Sequence, residues 1–193
     1  MNEIRKQIGE SIRVKKSLMD NDEIIKAIED TAEICVTAIK NGNKIILAGN
    51  GGSAADAQHM AAELVNRFMF DRPGLSAIAL TTDPSVITSI SNDSGFEQIF
   101  SRQIEALGRQ GDVLILISTS GNSPNIIKAA EAARKRGLTV AGLTGITGGK
   151  LKDLCDIATR VPSDDTPRIQ ECHSLIIHLL CGLIENTLFS NPK

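Results

Sequence analysis

The sequence predicts an α/β protein: a five-stranded parallel sheet, doubly wound with helices on both faces and preceded by an N-terminal helical hairpin. Three observations predict this class. Short apolar runs such as Val113–Ile117 alternate with stretches of helical spacing, which is typical of strands buried on both faces of a sheet. Two of the runs end in turns rich in Gly or Ser, as strand-to-helix connections do. The 193 residues are 41% hydrophobic, which suits one domain with a substantial core.

Residues 2–41 predict two helices. Isoleucines recur at helical spacing at positions 4, 8 and 12, and a second helical pattern runs from 24 to 39. Asn41-Gly42-Asn43 ends the second helix. This hairpin is unusually apolar for an appendage, so we expect it to pack against another subunit. We assign 1–193 to a single domain, with 1–41 as oligomer-forming helices and 42–193 as the α/β core with a long C-terminal helix.

The core is predicted to alternate strands with helices. Strands are expected at 44–48, 75–80, 112–118, 138–143 and 157–161. Helices are expected at 53–69, 84–90, 96–107, 124–136, 148–154 and 166–189. Ser53 is the predicted N-cap of the first of these helices. Pro167 lies in the first turn of the last one, where proline is tolerated, and Arg134-Lys135-Arg136 complements the dipole at a helix end.

The composition excludes several functions. Five Phe, no Trp and no Tyr leave no aromatic platform for stacking bases or sugar rings, and a net charge of −2 lacks the basic excess that nucleic acids require. The N-terminus has no apolar signal core and no apolar run is long enough to cross a membrane, so we expect a cytoplasmic protein. The four cysteines form no C-x-x-C pair and are expected to be buried thiols. Cys172 alone, near two His, keeps a possible role as a ligand.

Two of the turns that directly follow predicted strands suit a phosphate group. Gly49-Asn50-Gly51-Gly52-Ser53 lets backbone N–H groups approach an anion at a helix N-terminus, although these glycines could also serve only to make a tight turn. Ser118-Thr119-Ser120-Gly121-Asn122-Ser123 brings four hydroxyls into one loop, which is more than helix capping needs. We therefore predict a phosphate site that needs neither Lys nor Arg.

Two helices carry candidate ligands or acid–base groups. His59 and Glu63 are spaced i, i+4 and can reach one metal or one substrate, although such pairs are also common on protein surfaces. Gln170 and His178 share one row of the last helix, about 12 Å apart along its axis. His178 lies in an apolar stretch, where a histidine is more often a core residue than a ligand. His173 is assigned as structural or surface.

The continuous segment Gly49–Leu64 resembles the signature of sedoheptulose 7-phosphate isomerases, also called phosphoheptose isomerases, in the sugar isomerase (SIS) superfamily. Asn92-Asp93-Ser94-Gly95-Phe96, the Ser118–Ser123 loop and Arg168–His173 also fit, and the resemblance covers essentially the whole chain. It implies conversion of the ketose D-sedoheptulose 7-phosphate to D-glycero-D-manno-heptose 7-phosphate through an enediol. This is the first step in the supply of nucleotide-activated heptose for surface polysaccharide. The resemblance also implies a homotetramer with active sites at subunit interfaces.

The resemblance assigns roles to single residues. His59, Glu63, Gln170 and His178 match the ligands of one Zn²⁺ per subunit, and Glu63 and His178 match the acid–base pair. Substrate contacts match Asn50, Gly51, Gly52, Ser53, Glu63, Asn92, Asp93, Ser118, Thr119, Ser120, Ser123 and Gln170. Isomerisation needs a base at carbon and a proton donor at oxygen. A Glu that ligates zinc firmly is a weaker base, so either Glu63 exchanges between the two roles or zinc mainly organises the site. Whether zinc is catalytic or organising stays open. Residues 163–167 match no part of the pattern.

Two alternatives stay open at this point. A related SIS family forms tetramers that bind the bacterial replication initiator protein, and the chain resembles it locally at Ala77–Leu80 and Glu185–Phe189. That family lacks residues matching Glu63 and His178, which favours the enzyme. The other alternative is an isomerase or sensor for a different sugar phosphate, such as a hexose phosphate, because the phosphate loop would serve any of them.

Overall fold

The computed structural model describes residues 2–189. Its five strands form one sheet in which every neighbouring pair is parallel, in the order β2-β1-β3-β4-β5. The strands are β1 (Ile45–Gly49), β2 (Ala77–Ala79), β3 (Val113–Ser118), β4 (Thr139–Thr144) and β5 (Ile157–Arg160). The predicted five-stranded parallel sheet is confirmed, with each strand within two residues of its expected bounds.

Seven α-helices surround the sheet in this part of the chain. They are α1 (Glu3–Met19), α2 (Asp22–Lys40), α3 (Gly52–Val65), α4 (Pro84–Ser94), α5 (Ser101–Leu107), α6 (Pro124–Lys135) and α7 (Thr166–Phe189). Short 3-10 turns occupy Phe96–Gln98 and Leu151–Asp153. The helical hairpin and the long last helix are therefore confirmed.

Four details of the predicted helices are wrong. Ser53 is not the N-cap of α3, because Gly51 occupies that position and Ser53 lies buried inside the helix. The same helix ends at Val65 rather than at 69, since the backbone beyond it turns to donate hydrogen bonds to Glu185. The expected helix at 96–107 is a 3-10 turn followed by α5, and only a 3-10 turn forms within 148–154.

The sheet is buried on both faces, as its apolar runs predicted. Ile45 and Leu47 of β1 pack on the same side as α2, α3 and α7, whereas Ile46 and Ala48 pack on the side of α5 and α6. Strand β3 alternates in the same way. Because successive side chains of a strand point to opposite faces, one continuous apolar run supplies both cores.

Helix α7 is apolar because it lies in the core. By length and composition it could span a membrane, with a mean hydropathy of 1.4 over 18 residues, so the expectation that no segment is long enough was wrong for this helix. However, it packs against α1, α2 and α3 and buries residues such as Ile176, Ile177 and Leu180. A buried core helix has the same composition as a membrane span, so this helix is weak evidence for a membrane protein.

The four cysteines are free thiols. Burial raises the pKa of Cys35, Cys155 and Cys181 to about 12 in each case. Cys172 is buried in the same apolar cluster as Cys35 and Cys181, and this environment argues against a role as a ligand. The expected burial holds for three of them, while Cys155 is half-buried.

His173 gives the fold a predictable pH dependence. Its Nε2–H donates to the Thr144 carbonyl at 3.2 Å, and burial lowers its pKa from 6.5 to about 4. Between these values the unfolded chain binds a proton that the folded chain does not. The free energy of unfolding should therefore fall by about 3 kcal/mol as the pH is lowered from 6.5 to 4.

Urea denaturation across this pH range measures the effect. His173→Gln retains an amide donor for Thr144 but no group that titrates here, so its stability should change much less between pH 6.5 and 4. Equal slopes for the two proteins would contradict the assignment. Carboxylates with lowered pKa values, such as Asp112 and Glu185, act at the acidic end of this window and below it, and they do so equally in both proteins.

Candidate active site

The two phosphate-type turns meet at one edge of the sheet. The glycine turn follows β1 and the serine loop follows β3, and these strands are neighbours. In the strand order β2-β1-β3-β4-β5, the chain proceeds from β1 toward one side of the sheet and from β3 toward the other, so β1 and β3 flank a topological switch point. Ligands of open α/β sheets bind at such a point, beyond the carboxyl ends of the strands. The predicted location of the site is therefore supported by the topology.

A reciprocal amide pair joins the glycine turn to the first turn of α6, the helix that follows the serine loop. The Asn50 amide nitrogen donates to Oδ1 of Asn125 at 2.9 Å, and the Asn125 amide nitrogen donates back to Oδ1 of Asn50 at 2.8 Å. Asn125 lies buried in the first turn of α6. Asn50, predicted as a substrate contact, thus has a structural role that sequence reasoning missed, since its partner is 75 residues away.

The glycine turn is shaped by close contacts. A Cβ at Gly49 would lie 2.4 Å from the Ser53 carbonyl oxygen, and Gly51 has a φ of +56°. A Cβ at Gly52 would lie 2.5 Å from Nε2 of Gln170. The turn therefore needs its glycines for backbone geometry, and the one at position 52 also allows the Gln170 amide of α7 to lie directly against the helix N-terminus.

The four hydroxyls of the serine loop divide into two pairs. Ser118 and Ser120 stabilise the loop itself, because their Oγ atoms accept from the backbone N–H groups of Gly121 and Asn122, each at 3.2 Å. Thr119 and Ser123 make no side-chain hydrogen bond within residues 2–189, and Ser123 stands at the N-cap of α6 without using its hydroxyl as a cap. These two hydroxyls remain available for an anion near the positive end of a helix.

A cavity of about 220 Å³ adjoins the serine loop. Its wall includes Thr119, Ser120 and Asn122 together with Ser163, Asp164 and Thr166. The last three lie in the 163–167 segment that the sequence pattern could not match. This segment therefore shapes the space next to the candidate phosphate site.

Helices α3 and α7 bring the acid–base candidates together. His59 Nε2 lies 3.1 Å from Oε1 of Glu63 and 3.3 Å from Nε2 of His178. The alternative that His178 is a core residue does not hold, because its side chain is exposed. Its ring is stacked on Phe68, with centroids 5.7 Å apart, and meets the His59 ring edge-on at 4.9 Å. His173 is the structural histidine, as assigned.

The donor set suits a zinc ion in its chemistry. Imidazole nitrogens at about 2.0–2.1 Å from a tetrahedral zinc lie ~3.3 Å from each other, which matches the His59–His178 separation. Over residues 2–189, however, no three His, Cys, Asp or Glu side chains are already arranged around one metal position. A metal here would need Gln170 or a side-chain rotation in addition to the close pair.

Asp56 belongs to this site although the sequence analysis did not select it. It lies one turn before His59 on α3, is buried, and accepts from Ser174 Oγ of α7 at 2.8 Å. Burial raises its pKa, which the hydrogen bond and the two nearby histidines partly offset. The i, i+3 spacing to His59 was the available signal.

Asn92 and Asp93 lie at the exposed end of α4, where the Asn92 amide donates to the Asp93 carboxylate at 2.7 Å. Neither side chain has another hydrogen bond within the described part of the chain. Their predicted role as substrate contacts stays a prediction.

The fold and this site define a SIS-domain protein. The model of the SIS domain family matches residues 12–145. A phosphoheptose isomerase from Aneurinibacillus thermoaerophilus is 54% identical over 97% of this chain and 95% of its own length. The chain belongs to the phosphoheptose isomerase family, and it is a sugar-phosphate isomerase of the aldose–ketose class.

Two solved structures agree with this placement. A phosphoheptose isomerase from Neisseria gonorrhoeae has a TM-score of 0.89 at 45% identity, covering 95% of this chain and 97% of the other. One from Francisella tularensis has a TM-score of 0.92 at 41% identity, covering 96% and 97%. These similarities favour the enzyme over the binding-module alternative.

Proposed function

We propose that the protein converts D-sedoheptulose 7-phosphate to D-glycero-D-manno-heptose 7-phosphate, the first step toward nucleotide-activated heptose for surface polysaccharide. One observation carries the proposal: a carboxylate and two imidazoles converge where α3 packs against α7, in a chain that also has a hydroxyl-rich loop at the switch point of the sheet. An aldose–ketose isomerase needs this combination of a base, a proton carrier and an anion site. The family membership narrows the sugar to a phosphoheptose.

The mechanism follows from the roles of the side chains. Thr119, Ser123 and the N-terminus of α6 hold the phosphate, and the side chains of α3 and α7 act on the C1 and C2 end of the sugar. Glu63 removes a proton from C1 of the ketose, and an enediol forms as the C2 carbonyl oxygen is protonated. His178 carries the proton between the two oxygens, since an imidazole ring can both accept and donate a proton. Return of a proton to C2 then gives the aldose.

We also propose one Zn²⁺ per subunit, bound by His59, Glu63, Gln170 and His178. When bound, it would polarise the sugar carbonyl and stabilise negative charge on oxygen. Added Zn²⁺ should raise the melting temperature of metal-free protein, because a ligand that binds only the folded state stabilises it. His59→Ala should lose most of this increase. An equal increase in both proteins would contradict the ligand set.

The proposed assembly is a homotetramer in the cytoplasm. Ile4, Ile8 and Ile12 form an exposed apolar row on α1, at 65%, 54% and 63% exposure, which supports burial of this face against another subunit. Light scattering should give four times the 20.6 kDa chain mass. A monomer would contradict the proposal. Free thiols support the cytoplasmic location.

Proton NMR tests the reaction directly. Purified protein mixed with sedoheptulose 7-phosphate in D₂O should produce the anomeric signals of the aldose and incorporate deuterium at C2, since the proton returns from a base in contact with solvent. A hexulose 6-phosphate serves as the matched substrate control. A folded sample that isomerises neither sugar would overturn the proposal, and preference for the hexulose would assign another substrate.

A further inference from the structure

A buried ion pair lies just outside the acid–base cluster. Arg72 Nε donates to Glu185 Oε1 at 2.9 Å, with the two side chains only 2% and 1% exposed. Glu185 is on α7, and Arg72 is in the segment that follows α3. We propose that this pair is a positioning device for the isomerase reaction, which holds the Glu63 end of α3 at a fixed distance from His178 on α7. The proposal rests on the proposed function for the roles of Glu63 and His178.

Arg72 is bonded to the backbone of the base itself. Its Nη2 donates to the Glu63 carbonyl at 2.8 Å, and its Nη1 donates to the Leu64 carbonyl at 2.7 Å. The last carbonyls of a helix have no partner inside the helix. The guanidinium supplies partners at the turn that carries Glu63, and its planar array of donors can do this while also pairing with a carboxylate.

Glu185 continues the connection toward the proton carrier. Its carboxylate accepts from the backbone N–H of Phe68 at 3.0 Å and of Met69 at 2.7 Å. Phe68 in turn stacks on the ring of His178, which lies two helical turns before Glu185. Burial raises the pKa of the Glu185 carboxyl, but these hydrogen bonds and Arg72 outweigh it and lower the pKa overall, so the group is charged at neutral pH.

Stability alone does not account for this pair. Apolar residues of similar volume can often replace a buried ion pair without loss of stability, because the charges must give up their hydration. Apolar residues cannot, however, fix two carbonyls and two N–H groups at defined positions. A misplacement of about 1 Å at an active site can cost on the order of 100-fold in rate. The arrangement therefore acts on the geometry of the reacting groups.

The test compares two double variants. Arg72→Met/Glu185→Leu removes the connection without leaving a buried unpaired charge. Lys44→Met/Asp112→Leu removes a second ion pair, which lies at the amino ends of β1 and β3. There Asp112 is buried and bonded to Lys44 and to the Arg109 N–H. For the first variant we expect kcat to fall on the order of 10- to 100-fold with KM within about threefold. For the second we expect kcat within about twofold of wild type.

Arg72→Lys provides a graded case, because it keeps the charge but not the planar donors. Its kcat should lie between those of wild type and the double variant. A folded double variant with wild-type kcat, or an equal loss in the Lys44/Asp112 control, would overturn the proposal.

A measurement without substrate separates this proposal from the proposed function. The ¹⁵N signals of the His59 and His178 rings should shift in the Arg72/Glu185 variant and stay unchanged in the control. Unchanged ring signals would overturn the positioning role even if the wild-type protein is an active isomerase. If the wild-type protein proves inactive but the ring signals still shift in the Arg72/Glu185 variant, the result would support the positioning role and contradict the proposed reaction.

Discussion

Replacement of Glu63 by Gln is expected to lower kcat about 10²- to 10⁴-fold, the contribution typical of a general base, and to leave KM within about threefold. The amide has the same shape and can still contact His59, which lies 3.1 Å from the carboxylate. It cannot accept a proton from carbon at neutral pH. Because that transfer occurs in the transition state and not on binding, the loss should appear in kcat.

The initial rate of aldose formation, followed by NMR or a coupled assay, measures this effect. Glu105→Gln on the exposed face of α5 is the matched control, and its kcat should equal that of wild type. Zinc content must be determined in the same samples, since Glu63 is also a proposed ligand. A variant that binds zinc normally and keeps more than a tenth of the wild-type kcat would remove Glu63 from the base role.

The fold could be predicted because its signals are local. The run Val113–Ile117 is apolar at every position, and a strand with both faces buried requires that pattern. The glycine and serine turns follow their strands directly, so the chain order of the motifs also gives their place in the sheet. The error at Ser53 was also local: a serine resembles an N-cap, but Gly51 adopts the positive φ that begins the helix.

The site could be predicted only in part, because its remaining features depend on distant residues. The apolar neighbours of His178 are typical of a core residue, yet Leu179 and Leu183 are exposed as well. The apolar stretch of α7 therefore includes residues outside the face that packs on the core, and His178 is one of the side chains that such a stretch leaves exposed. Arg72 and Glu185 are 113 residues apart. No spacing rule links them, and only the packing of the segment after α3 on α7 reveals the pair.

Replacement of Gly121 by Ala should have the largest effect of any single substitution in the serine loop. Gly121 has a φ of +64°, and a Cβ there would lie 2.1 Å from the Gly148 carbonyl oxygen. Neither backbone can yield easily, since the Gly121 N–H also bonds to Ser118 Oγ and the Gly121 carbonyl accepts from the Leu151 N–H. We expect a loss of stability of roughly 3 kcal/mol or more from the clash and the strained φ together.

The matched control is Gly42→Ala. Gly42 has a similar φ of +78° but nothing lies within 4 Å of its Cβ position, so this variant should lose only the roughly 1–2 kcal/mol of a left-handed alanine. The difference between the two melting temperatures isolates the clash. The KM of the Gly121 variant separates an effect on binding from the effect on stability. This variant should bind the sugar phosphate at least about tenfold more weakly, which corresponds to about 1.4 kcal/mol. The reason is that Thr119 and Ser123 flank the displaced backbone. If the Gly121 variant keeps its KM despite the loss of stability, the phosphate is held elsewhere than in the serine loop.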